Sequence, residues 1–226
     1  MLFRESQVPF QDRFDAGRQL ASHLEAYAGA AALVLALPRG GVPVAYEIAR
    51  SLAAPLEIFV VRKLGAPGQE ELAMGAIASG GMRVLNQEVI QVLGIAPEQI
   101  DSVTARETVE LERRERQYRG GREPVNARGR TVILVDDGLA TGSTMRAAAA
   151  ALRQCGPQKI VAAIPVAAQV TCANLRRVVD EVVCLLTPQD FYAVGQFYQD
   201  FSPISDGEVR ELYRRAAQEL SQHPAA

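Results

Sequence analysis

The sequence contains no tryptophan, only two histidines (His23 and His223) and only three cysteines among its 226 residues. Two histidines near the ends of the chain disfavour both a histidine-rich metal site and a Ser-His-Asp hydrolase. An odd number of cysteines without metal-ligand spacing disfavours a disulfide framework and favours reduced thiols in the cytoplasm. The chemistry of this chain must therefore rest on other residue types.

Long apolar runs and a strong charge of either sign are also absent. No run approaches the roughly 18 residues that a membrane-spanning helix needs, so we expect no membrane span. Charged residues within residues 1–18 disfavour a signal peptide. A formal net charge of −2 and an isoelectric point of about 5.8 disfavour a general binder of nucleic acid or of anionic membranes.

Five apolar segments predict the strands of a mostly parallel sheet. The segments at residues 33–37 and 58–61 are continuous rather than alternating, as in strands that are covered on both faces. The remaining strands are expected at residues 131–135, 160–166 and 181–186, and helices at 42–53, 145–154 and 206–220. This alternation predicts an α/β fold in which a mostly parallel five-stranded sheet is flanked by helices.

Residues 86–128 differ in character from the segments around them. Residues 97–118 predict one long helix, with Pro97 at its start and Gly120 beyond its end. Its second half mixes arginine and glutamate, which predicts a solvated face with ion pairs, and a subunit contact or a nucleic-acid surface are the alternatives. We therefore expect a core of residues 1–186 with a helical insertion at about 86–128, and a small C-terminal subdomain of residues 187–226.

The most informative segment follows the predicted strand at residues 131–135. Asp136 and Asp137 end that strand, and a loop of glycine and hydroxyl residues leads into a helix. Such a loop presents backbone N–H groups and a helix N-terminus to a phosphate. It lacks the lysine and the glycine spacing of a Walker loop and the pattern of a dinucleotide fingerprint. The two acids suit a sugar diol, or a divalent metal held through water.

Residues 132–144 resemble the phosphoribosyl pyrophosphate (PRPP) binding signature of type I phosphoribosyltransferases, which is a hydrophobic strand, two acids, variable residues, then Thr-Gly and further hydroxyls. The resemblance implies that Asp136 and Asp137 are catalytic residues that bind the ribose hydroxyls. It also implies a loop that wraps the 5′-phosphate and consists of Ala140, Thr141, Gly142, Ser143 and Thr144. An Asp-Gly hairpin turn is the disfavoured alternative, because a helical segment follows directly.

Two earlier segments match the family in the same order. Arg39, Gly40 and Gly41 follow the first predicted strand, where the family has its pyrophosphate loop, although a plain turn explains these residues equally well. Arg62 and Lys63 follow the second predicted strand and resemble the basic start of the family's mobile catalytic loop. The alternative is a solvated strand end, while the glycines and acids that follow suit a mobile lid.

The segment at residues 191–201 contains five aromatic residues. It follows the last predicted strand, where some members of the family build a hood over the base, and Tyr192 and Val194 are the candidate base-binding residues. Aromatic faces stack on planar rings, which is the physical reason for this expectation. The alternative is a small satellite core that packs the helix at residues 206–220 onto the sheet.

The resemblance implies Mg²⁺-dependent phosphoribosyl transfer from PRPP to a nitrogenous acceptor, with nucleobases among the candidates, and release of pyrophosphate. Magnesium would arrive with PRPP, and no direct protein ligand is expected. Asp136 and Asp137 are the candidates for any contact with it. Ala140 stands where 6-oxopurine enzymes usually carry an Asp, so the loop is closer to the adenine type. A PRPP-binding regulator without turnover and a phosphosugar- or nucleotide-binding hydrolase are the alternatives, and the family implies a homo-oligomer.

Overall fold

The computed structural model describes residues 9–28, 32–122 and 126–222. Residues 1–8 and 29–31 of the predicted core, 123–125 of the predicted insertion and 223–226 of the predicted C-terminal subdomain lie outside these ranges. None of the helices in the described ranges combines the length and apolar character that crossing a bilayer requires.

Two sheets organise the described chain. Its strands are β1 (Ala32–Ala36), β2 (Leu56–Ile58), β3 (Val61–Ala66), β4 (Gln69–Ala78), β5 (Met82–Leu85), β6 (Thr131–Val135), β7 (Lys159–Val166) and β8 (Glu181–Leu186). Five of them form a parallel sheet in the order β2-β1-β6-β7-β8. The predicted α/β fold with a five-stranded parallel sheet is confirmed.

Helices cover both faces of the parallel sheet. They are α1 (Arg13–Ala21), α2 (Gly41–Ser51), α3 (Gln87–Leu93), α4 (Pro97–Arg119), α5 (Ser143–Arg153), α6 (Gln169–Leu175) and α7 (Asp206–Gln222). All five residues of β1 are buried, and alternate residues face two separate cores. Helices α1, α2 and α7 pack on the face that includes Val34, and α5 and α6 pack on the face that includes Leu33.

A second sheet, which the sequence patterns did not predict, is formed by β3, β4 and β5. These strands are antiparallel, and β3 turns into β4 through Pro67 and Gly68, whose φ is +74°. The strand expected at residues 58–61 is present as β2, but its predicted bounds were wrong, because β2 ends at Ile58 and Val61 already belongs to β3 in the other sheet. Arg62 and Lys63 therefore lie on a strand of a hairpin. The prediction that they begin a loop was wrong.

The predicted helical insertion is present as α3 and α4. The Asn86 side chain accepts a hydrogen bond from the backbone of Val89 at the start of α3, and Gly94 ends that helix in a left-handed conformation. Pro97 begins α4 and left-handed Gly120 ends it, as predicted. Because the apolar side of α4 packs into the same core as α2 and α7, the insertion contacts the parallel sheet's helical layer as well as the hairpin.

Candidate active site

The acidic pair lies at the carboxyl end of β6, at the edge of the sheet where loops of α/β proteins hold ligands. The backbone N–H of Asp137 donates to the Asp136 carboxylate at 2.9 Å. Burial and the adjacent Asp137 raise the pKa of Asp136 well above its usual range. Burial also raises the pKa of Asp137, whereas the Arg13 guanidinium opposes that rise. Two acids therefore share a confined site that one cation partly neutralises.

Arg13 of α1 forms an ion pair with Asp137, although the two residues lie far apart in sequence. Its Nε lies 2.7 Å from Oδ2 of Asp137, and the two side chains are 9% and 14% exposed. A second hydrogen bond, from Nη1 of Arg13 to the carbonyl of Ser202, is 2.9 Å long. Tyr198 completes the arrangement, since its hydroxyl donates to the Asp137 carbonyl at 2.6 Å. Sequence analysis found neither Arg13 nor Tyr198.

The loop after the acidic pair is held by the neighbouring strand and by α6. The backbone of Leu139 donates to the carbonyl of Val166 at 2.9 Å. The Thr171 hydroxyl donates to the carbonyl of Ala140 at 2.5 Å. Gly142 is left-handed with a φ of +66°, and a Cβ there would lie 2.6 Å from the Thr171 methyl group. Glycine is thus required at this turn, and Thr171 is a further residue that supports the loop.

The same loop ends at the N-terminus of α5 with three exposed hydroxyl residues: Thr141, Ser143 and Thr144. The hydroxyls of Thr141 and Ser143 are 3.2 Å apart. Helix N-termini carry unsatisfied N–H groups and a partial positive charge. The structure therefore places the predicted phosphate loop on an accessible helix N-terminus.

The segment Arg39, Gly40 and Gly41 lies directly against the acidic pair. The backbone of Leu37 donates to the carbonyl of Val135 at 2.9 Å, which fixes the two neighbouring strand ends together. A Cβ on Gly40 would overlap the Asp137 carboxylate, and one on Gly41 would lie 2.7 Å from the Val135 carbonyl. These glycines thus allow the close approach of the two loops. The peptide bond between Pro38 and Arg39 is cis.

If the acidic pair holds PRPP, as the sequence resemblance implies, Gly40→Ala is expected to weaken its binding at least about tenfold, because a small displacement of a positioned group can cost up to about a hundredfold. The added methyl group must displace the Asp137 carboxylate or the loop itself. Calorimetric titration of PRPP with magnesium would measure the effect. Gly207→Ala is the control, since the nearest atom to its Cβ is the Ser205 hydroxyl at 3.7 Å. Unchanged affinity in Gly40→Ala would show that the observed contact is not needed for binding.

Arg62 and Lys63, the predicted catalytic cations, lie on β3, and each pairs with a glutamate in this structure. Arg62 donates to the Glu107 carboxylate of α4 at 2.5 and 3.0 Å. The Lys63 ammonium group lies 3.1 Å from the Glu71 carboxylate on β4. Lys63 also lines a cavity of about 290 Å³ between the hairpin and α5, together with Ser143 and Thr144. The structure thus brings Lys63 near the predicted phosphate loop.

Arg39 extends from its loop toward α7. Its side chain is 52% exposed, and its guanidinium lies 3.8 Å from the Asp206 carboxylate. Asp206 also accepts hydrogen bonds from Gln117 and Tyr118 of α4, at 2.8 and 3.0 Å. The loose contact of Arg39 leaves its donors accessible for an anion at the site.

Two of the five aromatic residues at 191–201 are buried together. Phe197 and Tyr198 are buried in a small core with Phe10, Ala16 and Val166. The satellite core named as the alternative therefore exists, but among the described residues it packs against α1 and the end of β7 rather than against the last helix. Phe10 and Ala16 reach this segment because Phe10 pairs with it by backbone hydrogen bonds.

The two candidate base-binding residues have different environments. Tyr192 is 87% exposed and leaves its ring free in solvent. Val194 is half-buried, and its side chain lies so close to Gly138 that any Cβ there would overlap it. Val194 therefore contacts the loop that follows the acidic pair. Tyr192 stands two residues away on the same segment.

A family model, the phosphoribosyl transferase domain, matches residues 11–202. Two curated relatives from strains of Mycobacterium tuberculosis, whose names propose a phosphoribosyl transferase, are 47% identical over 213 residues. That match covers 94% of this chain and 48% of each relative, so the chain spans about half the length of the curated relatives it matches. The crystal structure of a Thermus thermophilus protein is similar at 42% identity, with a TM-score of 0.82, over 91% of this chain and 98% of that one. This chain belongs to the phosphoribosyl transferase domain family.

Proposed function

We propose that this chain binds PRPP and transfers its phosphoribosyl group to a nitrogenous acceptor, releasing pyrophosphate. The observation that carries the proposal is the contact between two loops that lie far apart in sequence. Gly40 abuts the Asp137 carboxylate, and Gly41 abuts the end of β6. A sugar held at the acidic pair would therefore have one anion-binding loop beside it and the N-terminus of α5 beyond it.

Each end of PRPP has a suitable partner in this arrangement. The exposed hydroxyls and N–H groups at the start of α5 suit the 5′-phosphate. Asp136 and Asp137 suit the ribose hydroxyls, since ionised carboxylates accept hydrogen bonds strongly. The Arg39 guanidinium and the Gly40 and Gly41 amides suit the pyrophosphate.

The proposed mechanism relies on positioning and on charge stabilisation. As the glycosidic bond to pyrophosphate lengthens, positive charge grows on the ribose ring and negative charge grows on the leaving group. Arg39 and Lys63 are the proposed stabilisers of the leaving group. Arg62 has the same proposed role and would have to exchange its partner Glu107 for the substrate. Closure of the hairpin would exclude water that otherwise hydrolyses PRPP.

The residues at the site fit magnesium that arrives with PRPP. Among the described residues, no group of three or more His, Cys, Asp or Glu side chains could hold a metal ion. Mg²⁺ is usually bound by one or two carboxylates together with substrate phosphates and water, so an acidic pair beside a phosphate loop is compatible with it. Asp136 and Asp137 would contact it through water, and the ion would neutralise charge on the pyrophosphate.

The acceptor is proposed to bind beside the segment that carries Tyr192 and Val194. Val194 contacts the loop after the acidic pair, which supports its placement next to the sugar. The exposed Tyr192 ring offers a face on which a planar nitrogenous ring could stack. A nucleobase is the acceptor that this combination favours.

Calorimetric titration of PRPP, with and without magnesium, tests the proposal. We expect magnesium-dependent binding by the wild type and its loss in Asp136→Asn/Asp137→Asn. Glu98→Gln/Asp101→Asn is the control, since it removes two exposed acids from α4 and should leave binding unchanged. Release of pyrophosphate would then be followed with a panel of nitrogenous bases.

The outcomes separate the alternatives. PRPP binding combined with no release of pyrophosphate, whichever base is added, would favour a PRPP-binding regulator. Binding of magnesium with no affinity for PRPP would contradict the proposal and favour a phosphosugar- or nucleotide-binding hydrolase.

A further inference from the structure

Arg13 lies between the acidic pair and the end of the aromatic segment at residues 191–201. The centre of its guanidinium lies 3.8 Å above the ring of Phe201. Its Nε donates to Asp137 and its Nη1 donates to the carbonyl of Ser202. Three contacts thus fix both the position and the plane of this group. A nearly buried guanidinium held in this way cannot rotate without losing at least one of them.

This geometry also determines the orientation of the Asp137 carboxylate. One of its oxygens, Oδ2, lies 2.7 Å from Nε of Arg13, while Gly40 limits the space on the loop side. The main chain of Asp137 is held independently, because the Tyr198 hydroxyl donates to its carbonyl. Burial raises the pKa of Tyr198, so this hydroxyl stays protonated and remains a donor.

The surrounding aromatic rings make the arrangement rigid. The Tyr198 ring lies 5.0 Å from Phe201 and 5.3 Å from Phe10, measured between ring centroids. The backbone of Phe10 also bonds to the carbonyl of Phe197 at 3.1 Å. The start of α1 and the aromatic segment therefore pack together, and this packing fixes the position of Arg13.

We propose that Arg13 is a positioning residue of the PRPP site, which holds the Asp137 carboxylate in the orientation that accepts the ribose hydroxyls. The inference rests on the proposed function, because it assigns Arg13 a role in the binding of that substrate. Arg13 acts through Asp137 and does not touch the reacting atoms. A purely structural role, in which Arg13 only ties α1 to the aromatic segment, is the competing explanation.

Ligands that contain or lack the ribose distinguish these explanations. PRPP, ribose 5-phosphate and inorganic pyrophosphate would each be titrated calorimetrically, in the presence of magnesium, into the wild type and Arg13→Gln. We expect about a 10- to 100-fold loss of affinity for PRPP and ribose 5-phosphate, the scale typical of losing a partner that orients a binding group. Affinity for pyrophosphate should be unchanged, because its proposed loop is not held by Arg13.

Two further variants complete the experiment. Arg13→Lys retains a cation but cannot reproduce the two-armed contact with Asp137 and Ser202, so an intermediate loss is expected. Arg18→Gln is the control, since this half-exposed residue of the same helix forms loose ion pairs, at 3.6 Å, with Asp15 and Glu47. It should bind all three ligands as the wild type does.

Each outcome supports or overturns the inference. Equal losses for ribose-containing ligands and for pyrophosphate would overturn it in favour of the structural role. Wild-type affinity in Arg13→Gln would also overturn it, while the proposed function would stand. Should Arg13→Gln not fold, wild-type affinity in Arg13→Lys would overturn it. No PRPP binding by the wild type would overturn both the proposed function and this inference.

Discussion

Replacing Arg119 by alanine is expected to lower the free energy of unfolding by about 3–5 kcal/mol, the usual cost of removing one partner from a buried ion pair. Arg119, at the end of α4, is 9% exposed and donates to the Glu57 carboxylate and to the Ile58 carbonyl, both at 3.0 Å. Glu57 is 2% exposed and also accepts from the Tyr213 hydroxyl at 3.2 Å. One buried network therefore joins α4, β2 and α7.

Urea denaturation followed by circular dichroism would measure this effect. Arg116→Ala is the matched control, because Arg116 lies one turn earlier on α4, is 70% exposed and forms a loose ion pair with Glu112 at 3.5 Å. Exposed pairs of this kind contribute no more than about 1 kcal/mol. Similar losses for the two variants would mean that the inward contact of Arg119 contributes little to folding.

The contrast between these arginines shows what the sequence of α4 can and cannot indicate. The mixture of arginine and glutamate predicted a solvated face with ion pairs, and Arg113 forms an exposed pair of this kind with Glu110. Arg119 belongs to the same pattern but turns inward to bind Glu57, which lies 62 residues away in sequence. Local spacing does not carry this information, so part of the supposed surface belongs to the core.

The parallel sheet was predictable because burial on both faces selects continuous apolar segments. All of β1 and nearly all of β7 are buried, which matches the runs seen in the sequence. The hairpin sheet was missed because the first five residues of β4 are exposed and polar or small residues dominate there. Such a segment is typical of a loop, and its strands form only because they pair with each other and pack against α4 and α5.

The predicted site divides in the same manner. Asp136, Asp137 and the loop that follows them are contiguous, so one segment of sequence contains their whole pattern. Arg13 is 124 residues from its partner Asp137 and stands in an ordinary charged helix. Its importance depends on the meeting of α1, β6 and the aromatic segment, which only the folded chain displays.

Under the proposed function, Asp136→Asn is expected to abolish PRPP binding. The same substitution is expected to make the free protein more stable at pH 8. Burial and the neighbouring Asp137 raise the pKa of Asp136 well above its usual range, so the folded state holds its proton more tightly than the unfolded state does. The stability that this group contributes is fully present below the unfolded-state pKa of about 4 and is lost as the pH rises through the folded-state pKa. Asparagine cannot ionise and avoids that loss.

The stabilisation should therefore be largest at pH 8 and should shrink as the pH falls toward 4. Thermal unfolding across this range would measure it, since each kcal/mol raises the melting temperature of a chain of this size by about 2–4 °C. Asp101→Asn, which removes an exposed acid of α4 that is paired with Arg83, is the control. A stabilisation that does not depend on pH, or a loss of stability at pH 8, would show that ionisation of Asp136 does not destabilise the free protein. Under the proposed function, the ribose hydroxyls and the magnesium carried by PRPP would stabilise the ionised form of Asp136, so binding would favour a charge that burial disfavours in the free protein.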